Sequence, residues 1–102
     1  MQIYGREVDF KISRLKDAGN MEMALNNMAR TEVAIKKKGP GLLSETIKAG
    51  IKMFSDFFKD ATGVDVLEGC EDLDEAKNAY LDFLGEVKKQ KELVGVSLTD
   101  IK

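Results

Sequence analysis

Apolar and polar positions alternate at the start of the chain: Val8, Phe10 and Ile12 are separated by Glu7, Asp9 and Lys11. A period of two predicts a strand with one face on a core and the other in water. Ile3 and Tyr4 stand just before Gly5-Arg6, and glycine at the first central position of a two-residue turn suits a type II′ hairpin. A ribbon this short is unstable alone, so the hairpin over residues 1–12 must lay its apolar face on helices.

Beyond residue 20 the period changes. Met21, Ala24, Leu25, Met28 and Ala29 recur at three- and four-residue spacing, which predicts a helix over residues 21–37 with Asn20 or Asp17 as its cap and Gly19-Asn20 as a break before it. Lys36, Lys37 and Lys38 place cations at its C-terminus, where they offset the macrodipole, and Gly39-Pro40-Gly41 stops it. A second helix is expected over residues 43–59, capped by Ser44. Leu43, Ile47, Ile51, Phe54 and Phe58 mark its buried face, and Gly50, Met53 and Phe57 widen that face. Gly50 in mid-helix marks a close crossing. Residues 61–70 read as a turn with one short helical segment. Asp72 caps a third helix reaching about Leu93, with Leu73, Ala76, Tyr80, Phe83, Leu84 and Val87 on one stripe. Gly95 then ends the pattern.

The expected fold is mostly helical α+β: one domain over residues 1–94, made of a hairpin (1–12) and a helical body of three main amphipathic helices (20–93), with 95–102 a flexible tail. A chain of 102 residues has surface enough for one core. No apolar run approaches the ~18 residues of a membrane span, and residues 1–6 lack a signal-peptide core. The single Cys70 forms no internal disulfide, which suits a reducing cytoplasm.

Charge narrows the partners. The net charge is −2, with eight Lys/Arg against five Asp/Glu in residues 1–40 and eight against thirteen in residues 41–102. Neither half is basic enough to track phosphates, so nucleic acid is not the expected partner.

The chain has no His, which removes the commonest general base and transition-metal ligand, along with any Ser-His-Asp or Cys-His pairing. Glu68, Glu71, Asp72, Asp74 and Glu75 lack the order of an EF-hand and are explained by the helix N-terminus they surround. Gly39-Pro40-Gly41 lacks the lysine and preceding strand of a phosphate loop. The expectation is a protein without catalytic residues, cofactor or metal.

What remains is apolar surface. Met21, Met23, Met28 and Met53 lie on or beside helical stripes, where methionine usually fills a core. Met23 leaves the Met21/Leu25/Met28 face, however, and Phe57 sits off the Phe54/Phe58 line. These five positions are the candidates for a wider surface that accepts a partner helix.

Taken together, Ile3-Tyr4-Gly5-Arg6-Glu7-Val8-Asp9-Phe10, the helix over 20–37, Leu43 to Ile51 leading into Met53-Phe54-Ser55-Asp56-Phe57-Phe58, and Asp74 to Leu84 followed by 86–93 resemble the small tail assembly chaperones of Gram-positive siphophages and related prophages. In that family a strand-rich start precedes an amphipathic helical body, and a stretch like Asp56-Phe57-Phe58-Lys59-Asp60-Ala61-Thr62-Gly63 comes before a closing helix. The resemblance implies a cytoplasmic factor of the host cell that coats the tape measure protein's apolar helices until the tail tube polymerises. Weak sites repeated along a long client capture it through effective concentration, so a homo-oligomer is expected. The rival reading is a small regulator or inhibitor from a mobile element, of anti-CRISPR or antitoxin type, whose acidic stretch over 65–75 imitates phosphates.

Overall fold

A computed structural model of the chain describes residues 1–39 and 41–99, with side chains through residue 95. The fold is mostly helical α+β. A two-stranded antiparallel hairpin, β1 (Gln2–Ile3) and β2 (Arg6–Glu7), is followed by α1 (Leu15–Lys38), α2 (Leu43–Thr62) and α3 (Leu73–Thr99).

Gln2 pairs with Glu7 and Ile3 with Arg6, so the central turn residues are Tyr4 and Gly5 rather than Gly5 and Arg6. Both have positive φ, 51° and 74°. That is the type I′ arrangement, and it corrects the type II′ expectation by one residue. Backbone pairing ends with Met1 and Val8, which exchange hydrogen bonds (2.8 and 2.9 Å), yet the alternation continues: Val8 and Phe10 are buried and Asp9 and Lys11 exposed. A side chain takes over the pairing. The Gln90 amide donates to the Phe10 carbonyl (3.0 Å), and its oxygen accepts the Ile12 N–H (2.8 Å). One glutamine on α3 satisfies backbone groups that a third strand would otherwise hold.

α1 begins six residues before the position expected from the stripe, and Gly19-Asn20 lies inside it. Neither Asn20 nor Asp17 is its N-cap; that residue is Arg14, without a side-chain cap. Asp17 instead ties the first turn down, pairing with Arg14 (2.7 Å) and accepting the Lys11 N–H (2.9 Å). α2 starts after Leu42, so Ser44 is not its cap either, and Gly63 closes it in the left-handed region by donating to the Lys59 carbonyl (2.9 Å). Residues 64–70 are turns, without the short helix expected there. Asp72 does cap α3, its Oδ1 accepting the N–H of Asp74 (2.8 Å) and Glu75 (3.1 Å). Gly95 does not end α3, whose backbone continues to Thr99; one glycine costs a helix only ~1 kcal/mol. Of the expected tail, residues 100–102 lie outside the described residues, as does Pro40 of the expected hinge.

The core is entirely apolar among the described residues. Phe83 meets Phe10 (ring centroids 5.1 Å), Phe58 (5.6 Å) and Phe57 (5.9 Å) edge to face, so one α3 ring joins the hairpin segment to α2. α1 and α2 run antiparallel, with Asn27 Nδ2 donating to Asp60 Oδ2 (3.3 Å) across them. α3 starts beside Gly50 and runs with α2 to Phe83, then on to Gln90 beside the hairpin.

This register leaves the helices staggered. The molecule measures 56 × 29 × 18 Å, and its long axis exceeds the ~40 Å of its longest helix. Consequently the first turns of α2 and the facing end of α1 stand beyond the start of α3. No helix among the described residues is long and apolar enough to cross a membrane.

Candidate protein-binding groove

The stagger exposes apolar side chains that a third helix would normally cover. Leu42 and Leu43 are 67% and 75% exposed at the start of α2. Ile47 and Ile51 follow on the same helix, half-buried. With Leu67 and Cys70 they floor an open groove of about 630 Å³ between α2 and residues 64–71. Lys48, Lys52 and Lys59 stand along its α2 rim, with Asp56 among them and Glu71 on the opposite wall.

The opposite wall is held by the hairpin. Arg6 donates from Nη1 to the carbonyls of Val66 and Asp65 (3.4 Å to the latter) and from Nη2 to the carbonyl of Glu68 (3.1 Å). A guanidinium suits this role because its planar fork carries several donors in fixed directions. Val66 and Leu67 are buried beneath it, and the Cys70 N–H closes the turn on the Leu67 carbonyl (2.9 Å). Tyr4, at the tip of the hairpin, donates its hydroxyl to Glu75 (3.3 Å). Its pKa is pushed up to about 12, first by hydrogen bonding with Cys70 and then by desolvation and the neighbouring negative charges. On the other rim Lys52 is bound to Asp56 (2.7 Å), which raises the lysine's pKa.

The five residues singled out from the sequence are not gathered here. Phe57 is 1% exposed and Met21 4% exposed; both are core, so neither belongs to an exposed surface. Phe57 is covered because Tyr80 closes over it (4.9 Å between ring centroids), a contact its own helix does not reveal. Met28 and Met53 are half-buried, and Met23, 47% exposed, stands on α1 outside the groove lining. Ile47 and Ile51, assigned to the buried face, are half-buried: Ile51 packs against the core, and both also line the groove. A signal existed: α2's apolar residues span more of its circumference than one neighbouring helix can cover.

No polar or charged side chain is buried in the groove among the described residues. Its polar groups are exposed lysines, serines and carboxylates, and every buried side-chain nitrogen and oxygen among the described residues has a partner. No group of three or more metal-ligating residues is assembled among the described residues. In comparisons with known proteins, no family model, curated protein or solved structure matches the chain.

Proposed function

We propose that this protein binds an apolar helix of another polypeptide in the α2 groove, and that it acts as a phage tail assembly chaperone for the tape measure protein. The observation that carries the reading is the half-buried pair Ile47 and Ile51 on the groove floor, with the exposed Leu42 and Leu43 beyond its lining, where α2 begins ahead of α3. Helix-in-groove recognition needs apolar positions at helical spacing beside a wall fixed in advance. The wall over 64–71 is tied down by Arg6, so little ordering entropy is lost when the groove fills. A chaperone's client must also be released, and an open, shallow site favours modest affinity at each position. Self-association through other faces, in series along one client, supplies the avidity.

The test is co-expression with a fragment of a tape measure protein, the long helical client that the proposal assigns. The native chain keeps the fragment soluble and co-purifies with it, whereas Ile51→Asp, which puts a charge on the groove floor, does not. A fragment that aggregates equally with and without the native chain overturns the proposal. The rival reading as a nucleic-acid mimic rests on the acidic stretch over 65–75, where Asp72 is already occupied as a helix cap.

A further inference from the structure

We infer that the helix filling the α2 groove carries acidic side chains along one flank of its apolar stripe, facing Lys48 and Lys52. The inference rests on the groove reading above and adds the chemistry of the occupant.

Lys48 and Lys52 are one helical turn apart on the α2 rim, and Lys59 follows two turns further on. Of the three, Lys48 alone has no ion-pair partner among the described residues; Lys52 is paired with Asp56 (2.7 Å) and Lys59 with Asp65 (3.9 Å), exposed pairs of small net worth that an incoming carboxylate can exchange. Of the two anions lining the groove, Asp56 is already engaged with Lys52, and Glu71 stands on the far wall. The two sides of the groove differ in sign: residues 30–52, the part of α1 and α2 around the protruding end, hold six Lys/Arg against two Asp/Glu, whereas residues 64–75 on the far side hold six Asp/Glu and no Lys/Arg. An apolar helix approaching this end therefore meets positive potential on the α2 side. Carboxylates placed i, i+4 beside its stripe fall opposite Lys48 and Lys52, while lysines there meet like charge. The same repulsion disfavours the basic end of a second copy as the occupant. Apolar contact supplies the affinity, and the lysine rim selects the partner and its rotation about its own axis.

The test uses the full chain and synthetic amphipathic peptides of about five helical turns, identical in their leucine stripe and carrying Glu, Gln or Lys beside it. Binding is followed by fluorescence anisotropy at low and raised salt. The Glu-flanked peptide binds on the order of tenfold tighter than the Lys-flanked one at low salt, and the gap narrows as salt rises. Lys48→Glu with Lys52→Glu reverses the order; Lys48→Arg with Lys52→Arg preserves it. The peptide comparison on the native chain stands even where a variant fails to fold.

If the Glu- and Lys-flanked peptides bind equally and Ile51→Asp abolishes both, the groove is real and the charge inference is wrong. If none of the peptides binds, the groove reading fails and this inference with it. Displacement of the Glu-flanked peptide by a single-stranded oligonucleotide, or a homodimer that Lys48→Glu dissociates, equally overturns the assignment of an acidic helix.

Discussion

Gly50 and Leu73 approach so closely that a Cβ built on Gly50 lies 2.8 Å from Leu73 Cδ1. This contact sets where α3 begins along α2, and hence how much of α2 is left uncovered. The atom in the way is the end of a flexible side chain, so a small substituent displaces it and a branched one does not.

Gly50→Ala is therefore expected to stay within roughly 1 kcal/mol of the native stability, because the ~1 kcal/mol gain in helix propensity offsets the shift of Leu73. Gly50→Val should lose about 1–3 kcal/mol through overpacking. Adding Gly50→Ala to Leu73→Ala should recover the propensity gain almost fully, since the obstacle is gone. Urea unfolding of the set measures these differences. A Gly50→Val protein as stable as the native one would contradict the close approach.

Arg6 binds three carbonyls of the groove wall, and bonds to a charged donor are stronger than neutral ones. Arg6→Ala should cost roughly 1.5–3 kcal/mol. Amide exchange should quicken first at Glu68 and Cys70, whose turn it supports. Arg6→Lys restores only part of the loss, because an ammonium lacks the planar fork. Uniform acceleration of exchange across all helices, without an early response in the wall, would show that Arg6 does not act locally.

The two tyrosines should ionise late. Tyr80 is raised chiefly by burial, with Glu32 adding to it, and Tyr4 is raised to about 12. Both folded values lie above the unfolded value of 10.0, so their contribution to stability is complete below pH 10 and is lost as pH rises through the folded values. Ultraviolet titration should find less tyrosinate at pH 10 than ordinary tyrosines, half ionised there, would give. Cys70→Ala should bring Tyr4 down toward its ordinary value, and an unchanged titration would remove Cys70 from the account. At the acid end Asp9 behaves oppositely: its hydrogen bond from Arg14 lowers its pKa, so that contribution is lost as pH falls through the depressed value.

Much of this architecture was legible because local rules produce it. The 3.6-residue stripe of α3, the capping carboxylate of Asp72 and the alternation through Val8 and Phe10 all depend on residues near in sequence, and a mid-helix glycine marked the close approach at Gly50 without naming Leu73 as the partner. The errors share one cause. Asp17 draws the start of α1 back to Leu15 by binding Lys11 and Arg14; Gln90 replaces a strand across nearly the whole chain; Tyr80 seals Phe57 into the core. Each is a long-range or side-chain-to-backbone contact that no spacing encodes.

The sequence by itself determined an α+β chain of amphipathic helices behind a hairpin, without histidine and so without the commonest catalytic and metal-binding groups, because periodicity and residue chemistry are local properties. Only the tertiary structure decided which apolar residues remain in water. That outcome depends on the axial stagger of α2 against α3, which covers Phe57 with Tyr80 and Phe83, leaves Leu42 and Leu43 exposed, and keeps Ile47 and Ile51 half-buried beside Lys48 and Lys52.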